Sequence, residues 1–268
     1  SAFAWNTKQV KFNKIGVTYT DGNNGGPTTA VFNASGTKLA VSTWGVAHFL
    51  TKDPDLSLQK PGRLYMYDFA NGILTQTGLY EETGVSGNIG LSWSPNEKYV
   101  YMANFNLHSA ELNNSVTVHD ATTAVKVQNF GTSNTSDDEA CWTHVSADNR
   151  TLYVASFTGD NVSIFNIGSD DKLSVSLNPN FIKRSGVPSP DTKDIYEGSG
   201  GYLYVSGAFQ SHTISIFKMN GDGSLTERSG SPYHIPSSAG KTSDEQSFLG
   251  LTGFDKNAFD DDKQQQQE

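Results

Sequence analysis

The chain has a single cysteine, Cys141, in 268 residues. No intrachain disulfide can form, and no metal site built from cysteines can be assembled. No metal or cofactor motif appears elsewhere, so neither is expected. Basic residues are also scarce: 19 Lys and Arg stand against 28 Asp and Glu, giving a formal net charge of −9 and a pI near 5.1. Nucleic acids and anionic membranes are met with Lys/Arg patches, so neither is expected as the main partner. No apolar run approaches the roughly 18 residues that cross a bilayer as a helix, and membrane insertion is not expected. The chain opens at Ser1 with no initiator Met and no signal peptide, as expected of a processed or trimmed product.

What remains is the profile of a turn-rich, well-cored β protein: 35% hydrophobic, 11% aromatic, 18% charged and 26 glycines. Residues 255–268 are acidic and Gln-rich without periodicity, and are expected to be disordered outside a single domain over 1–254. Five glycosylation sequons occur, at Asn33, Asn113, Asn134, Asn149 and Asn161. A chain rich in Asn, Ser and Thr also produces such triplets by chance.

The strongest signal is an internal repeat. A polar turn and a following strand recur as NASGTKLAVST (33–43), SPNEKYVYMAN (94–104), SADNRTLYVAS (146–156) and EGSGGYLYVSG (197–207). Equivalent turn positions are Ala34, Pro95, Ala147 and Gly198, with spacings of 61, 52 and 51 residues. The extra residues of the first repeat lie in a loop insertion at 48–62. A further strand follows each time: RLYMYDF (63–69), SVTVHDA (115–121), NVSIFNI (161–167) and TISIFKM (213–219). Leu64/Met66, Val116/Val118, Val162/Ile164 and Ile214/Ile216 make one face of each. Tyr67, His119, Phe165 and Phe217 make the other, as expected of a strand packed between two sheets. Fourth strands begin near Leu74, Val125, Leu173 and Leu225. The fold expected is all-β: a β-propeller with four complete four-stranded blades. A β-sandwich, the competing reading, would not repeat the same four-strand grammar.

Both ends carry part of a fifth blade. AFAWN (2–6) and QVKFNKIGVTYT (9–20) look like third and fourth strands, and QSFLGLTGF (246–254) like an innermost strand. The ends either meet in a five-bladed ring that lacks one strand, or belong to a larger ring. An open ring would leave large apolar sheet faces uncovered.

The segment EACWTHVSADNRTLYVASFTGDNVSIFNI (139–167) resembles the lactonase-like seven-bladed propellers related to 6-phosphogluconolactonase and carboxymuconate cyclase. GSLTERSGSPYHIP (223–236) and LGLTGF (249–254) are similar to that family's blade-ending and ring-closing segments. The resemblance implies a seven-bladed fold of which this chain is the C-terminal portion, and a secreted, extracellular or periplasmic location. Family enzymes carry a His on an inner strand, a Glu near the end of a second strand, and arginines nearby. Here the matching positions hold Cys141 and Phe105, and the arginines are only Arg63, Arg150, Arg184 and Arg228. The family's catalysis is therefore not carried over.

Several residues remain candidates. His48, His108 and His212 fall between second and third strands, on the same propeller face as the inter-blade acids Glu81, Glu82, Asp137, Asp138 and Glu139. Such a face could gather His and carboxylates, the ligand types suited to a divalent metal or to proton transfer, or the groups simply face solvent. His144 is placed on an innermost strand as a weak catalytic candidate, with Asp138 or Glu139 near the channel mouth. Cys141 and His144 are three apart and point to opposite faces of a strand, so Cys141 reads as a buried thiol and Trp142 as core. GNNGG (22–26), GSGG (198–201) and NGDGS (220–224) read as turns.

Three functions stay open. One is a non-enzymatic extracellular propeller that binds a small molecule, saccharide or protein. The second is a sugar-lactone hydrolase or cyclase. The third is a structural subunit whose ring a second chain completes.

Overall fold

A computed structural model describes residues 2–6, 11–16, 26–45, 60–107, 109–133, 138–207, 210–236 and 250–252. An antiparallel hairpin comes first, β1 (Ala2–Asn6) with β2 (Lys11–Gly16). Four antiparallel sheets follow, each a simple meander. The first blade is β3 (Pro27–Phe32), β4 (Lys38–Thr43), β5 (Arg63–Ala70) and β6 (Ile73–Glu81). The second is β7 (Val85–Trp93), β8 (Tyr99–Leu107), β9 (Val116–Asp120) and β10 (Lys126–Phe130). The third is β11 (Ala140–Val145), β12 (Thr151–Ser156) and β13 (Asn161–Ile167), with an outer edge split into β14 (Leu173–Ser174) and β15 (Phe181–Lys183). The fourth is β16 (Thr192–Gly198), β17 (Tyr202–Gly207) and β18 (Thr213–Met219), its edge split into β19 (Leu225–Glu227) and β20 (Tyr233–His234). These are propeller blades, and among the described residues the ring is open.

The alternation of the third strands is what stacks the sheets. Leu64 and Met66 pack with Leu91, Val100 and Met102 between the first two blades. Val116 and Val118 pack with Leu152, Val154 and Phe165 between the second and third. Val162 and Ile164 pack with Leu203, Val205 and Phe217 between the third and fourth. Each fully buried aliphatic side chain is worth about 1.5–3 kcal/mol relative to exposure, so the three seams hold the array together.

Two ends of the array can be named. The turn end carries the hairpins that join first to second and third to fourth strands. The loop end carries the second-to-third loops and the inter-blade connections. At the turn end, one carboxylate reaches back from each blade to the turn of the blade before. Glu97 accepts Asn33 Nδ2 and Ser35 N, both at 2.8 Å. Asp171 accepts Ser94 Oγ at 2.7 Å and Asn96 N at 2.9 Å. Glu197 accepts Ala147 N at 2.8 Å. The recurrent tyrosine of the second strands has the same purpose: Tyr101 Oη donates to Asp171 O at 2.7 Å and Tyr153 Oη to Gly223 O at 3.0 Å.

At the loop end, every inner strand carries a β-bulge at the same place. The register slips between Pro27 and Thr29, Asn88 and Leu91, Ala140 and Trp142, and Thr192 and Asp194. A bulge leaves one residue unpaired and re-aims its side chain, here Thr28, Cys141 and Lys193. In the second blade the bulge holds Gly90, where a Cβ would meet Cys141 O at 2.6 Å and Thr143 N at 2.7 Å. The inner strands of the second and third blades pass close together there. Gly90→Ala is expected to lose about 1–3 kcal/mol through overpacking, read as a lower urea midpoint; an unchanged midpoint would show that the strands can part without cost.

The partial blade is present at the front as β1 and β2. At the back, the Leu251 amide donates to Asp194 Oδ2 on the inner strand of the fourth blade, at 2.7 Å. This places residues 250–252 beside the inner strand of the fourth blade. The remainder of the terminal strand expected at 246–254, and the tail 255–268, lie outside the described residues.

Candidate functional site

The residue that closes each second strand at the loop end is aromatic in three successive blades: Trp44, Phe105 and Phe157. Their rings form an arc across three blades, with centroids 5.4 Å apart from Trp44 to Phe105 and 5.8 Å from Phe105 to Phe157. All three are half-buried. Lys193, on the bulge of β16, lays its Nζ 4.3 Å from the Phe157 centroid, a cation–π contact. Burial disfavours its charge and lowers its pKa, against the opposing pull of Cys141, Asp191 and Glu139.

Glu139 enters from the connection into the third blade with a positive φ of 53°. Its carbonyl accepts the Phe157 amide at 2.9 Å, and its carboxylate accepts the Thr158 hydroxyl. The backbone strain of a left-handed non-glycine residue is thus held by two bonds to the segment that carries Phe157. Cys141 lies on the neighbouring bulge, buried, and burial pushes its thiol pKa well up. It is inert as a nucleophile in this state. The mouth therefore combines a wall of three rings, one partly desolvated ammonium and one carboxylate.

The other expected site residues are placed differently. His144 and Glu139 do not share the mouth. His144 sits at the turn end of β11, its Nε2 3.0 Å from Glu197 Oε2, while Asp138 and Glu139 precede the same strand at its loop end. The length of the strand separates them, which corrects the expected pairing. Asp138 is buried and saturated: it takes the Thr132 hydroxyl, Ser156 Oγ at 3.0 Å and Asn161 Nδ2 at 2.7 Å. It braces the connection into the third blade. His212 lies between β17 and β18 as expected, with a positive φ of 43°. His48, His108, Asp137 and Asn134 lie outside the described residues.

Of the sequons, Asn33 and Asn161 are buried with their amides committed to neighbouring side chains. The folded chain cannot offer either to a glycosyl donor, which corrects that expectation. Asn113 and Asn149 are exposed. Among the arginines, Arg63 pairs with Glu81 at 2.6 Å and Arg150 with Asp148 at 2.7 Å. Arg184 is sealed between blades, and Arg228 lies over the Tyr202 ring at 5.9 Å. Glu82 is taken by Lys126 at 2.5 Å and Tyr80 Oη at 2.8 Å.

A cavity of about 500 Å³ opens at the turn end between the third and fourth blades, lined by Tyr153, Met219, Asp148, Arg150, Glu197 and Asp222. Its charged groups already serve the turns: Glu197 clasps His144 and Ala147, and Asp148 holds Arg150. The mouth is the better candidate.

The mouth was half legible. The aromatic after each second strand stands at a fixed place in the repeat, just past LAVST, YMAN and LYVAS, and a column through the repeat exposes it. Lys193 carried no such signal, because a bulge in a strand of mixed composition leaves no period to read.

No model of a known protein family matches the sequence. Solved structures share its fold. A periplasmic gluconolactonase of Pseudomonas aeruginosa is 16% identical with a TM-score of 0.64, over 87% of this chain and 63% of that one. A protein from Lactobacillus plantarum is 14% identical with a TM-score of 0.65, over 87% and 64%. The β-propeller domain of Cps50 from Myceliophteria thermophila is 11% identical with a TM-score of 0.54, over 84% and 64%. The chain thus spans less than two thirds of these structures' length. The fold is that of the lactonase-like β-propellers, and no helix among the described residues is long and apolar enough to cross a membrane.

Proposed function

We propose that this chain is a ligand-binding propeller whose mouth receives a small, ring-shaped, polyhydroxylated acid or its lactone. The Trp44–Phe105–Phe157 arc, with Lys193 over its Phe157 end, carries the reading. Aromatic faces pack against the apolar face of a ring. An ammonium in a partly desolvated setting draws a carboxylate or a lactone carbonyl, and Glu139 can accept a hydroxyl. The gluconolactonase among the fold neighbours points to the same ligand class. It is also periplasmic, and export is part of the proposal. Binding ranks ahead of hydrolysis because the positions matched to the family's His and Glu hold a buried thiol and a phenyl ring, Cys141 and Phe105.

The test is titration of the full chain with gluconate and glucono-lactone, followed by Trp fluorescence and calorimetry. Saturable binding is expected, with Trp44 in contact. Phe157→Ala should weaken it about tenfold or more, or roughly 1.4 kcal/mol. No heat and no fluorescence change at millimolar ligand would overturn the reading. Lactone opening faster than in buffer would replace binding with hydrolysis.

A further inference from the structure

At the turn end, the seam between the third and fourth blades keeps open a space that the seam before it fills with a side chain. The turns after β13 and β18 have the same build. Ile167 pairs with Leu173 across the first, and Met219 with Leu225 across the second. Asp171 and Gly223 stand two residues before those leucines, both with positive φ, 66° and 85°. Each amide donates to the carbonyl three residues back at 2.9 Å, and each carbonyl takes the tyrosine hydroxyl of the blade before. Asp171 is 1% exposed. Its carboxylate fills the seam between the second and third blades, where Ser94 Oγ, Asn96 N and Asn96 Nδ2 donate to it. Gly223 has no side chain to offer, and it lines the cavity of about 500 Å³.

The facing turn of the third blade differs in the complementary way. Ser94 Oγ and Ser146 Oγ accept equivalent turn amides, those of Tyr99 and Thr151, both at 3.0 Å. Asp148 therefore stands where Asn96 does. Asn96 brings a donor to an acceptor, whereas Asp148 brings an acceptor to an open space. Ser146 Oγ donates to Asp148 Oδ1 at 2.6 Å, so the hydroxyl that a second carboxylate would need is taken. The polar groups left on the lining are acceptors as well. Glu197 commits Oε2 to His144 and Ala147, and Asp222 commits Oδ1 to Ser224. Asn166 and Asn220 commit their Nδ2 groups to neighbouring hydroxyls. Glu197 Oε1, Asp222 Oδ2 and the two amide oxygens remain without a protein donor among the described residues. The Arg150 guanidinium is held by Asp148 at 2.7 Å. Tyr153, Ile167 and Met219 supply an apolar floor.

We infer that this cavity binds a linear organic cation with a positive group at each end of an aliphatic stem, the class of diamines, polyamines and guanidino-amines. Ammonium and guanidinium groups carry donors only, which is what the lining lacks. Glu197 ends the innermost strand of the fourth blade, and Asp222 lies in the turn beyond its third strand. They are two strand spacings or more apart, roughly 10 Å. An extended four-carbon stem separates its terminal nitrogens by roughly 6 Å, and a hydrogen bond of about 2.9 Å at each end completes the span. The stem then lies on Tyr153, Ile167 and Met219. Glu197, with its side chain 14% exposed, is the less screened of the two anchors.

The probe is agmatine, which carries a guanidinium and an ammonium on a four-carbon stem, titrated calorimetrically into the full chain at low salt. Saturable binding at one site is expected. 4-Guanidinobutyrate has a carboxylate in place of the ammonium and should bind at least about tenfold more weakly, because that carboxylate meets an acid. Asp222→Asn keeps the oxygen that takes Ser224 and removes the charge. Gly223→Asn fills the space with a residue that tolerates positive φ. Each should weaken agmatine binding at least about tenfold, with the far-UV spectrum unchanged. Should Gly223→Asn fail to fold, Asp222→Asn carries the test alone. Agmatine binding that survives the substitutions places the cation elsewhere and overturns the inference. Equal affinity for the two probes, or no heat at millimolar agmatine, overturns it as well. The gluconate titration of the mouth is a separate measurement, so either reading can fail without the other.

Discussion

Replacing Arg184 by Met is expected to cost the fold about 3–5 kcal/mol, the largest single loss outside the apolar seams. Arg184 and Asp191 side chains are both 0% exposed. The guanidinium donates from Nε to Ser215 Oγ at 3.0 Å, from Nη1 to Thr192 Oγ1 at 3.0 Å and Asp191 Oδ2 at 3.4 Å, and from Nη2 to Thr213 Oγ1 at 2.8 Å. Asp191 also takes the Gln210 and Ser211 amides, at 2.7 and 3.0 Å. Asp160, whose pKa burial raises, takes the Asp191 and Thr192 amides at 3.0 Å. One cation thus serves two buried carboxylates at the loop end between the third and fourth blades. Met fills much the same volume but removes the guanidinium charge that both acids share. Their desolvation then exceeds what the remaining neutral hydrogen bonds return.

Urea unfolding should show a lower midpoint for Arg184→Met with an unchanged slope. Arg184→Met/Asp191→Leu removes both charges and should lose less than the sum of the single variants, since the residues share one network. A loss below about 1 kcal/mol for Arg184→Met would mean water reaches the pair.

The blade grammar was legible because it rests on period-two alternation in short strands. Leu64/Met66 and Val162/Ile164 took their faces as read, and Tyr67, His119, Phe165 and Phe217 are buried on the other. Arg184 was not legible as a structural residue. Its partners sit 7 to 31 residues away, on strands and a connection that meet only once the blades stack. The displacement of His144 from Glu139 has the same origin: sequence separation along one strand is small, but five residues of extended chain carry it from one end of the blade to the other, roughly 17 Å. Three-dimensional registers between blades, which decide who meets whom, leave no trace in the period of any one strand.

His119 makes the fold sensitive to acid. It is fully buried against Tyr80, with ring centroids 4.4 Å apart. Its Nδ1 lies 3.0 Å from Ala124 O, so it donates there, and its Nε2 then accepts Thr117 Oγ1 at 2.8 Å. That network fixes the neutral tautomer. Burial drives its pKa from 6.5 down to about 4, with Lys126 adding to the fall. The unfolded chain takes up a proton near pH 6.5, whereas the folded chain refuses it until about pH 4. Stability is therefore whole above pH 6.5 and falls as pH drops, by about 3 kcal/mol once pH reaches 4.

His119→Gln should lower stability at pH 7 by about 1–2 kcal/mol, through poorer hydrogen bonds to Ala124 and Thr117. It should also remove the acid slope, about 1.4 kcal/mol per pH unit for one proton. Urea-derived stabilities from pH 7.5 to 4 should then converge, and the variant should equal or exceed the parent near pH 4. Glu82 also favours the charged form in the fold, held there mainly by Lys126 and Tyr80 against its desolvation. Its contribution is lost only as pH falls through the carboxylate range, and it is common to both proteins, so the difference between them isolates His119. Parallel curves would show that the imidazole titrates alike in both states, and would place the acid sensitivity in carboxylates whose charged form the fold favours, such as Glu82 and Glu97, instead.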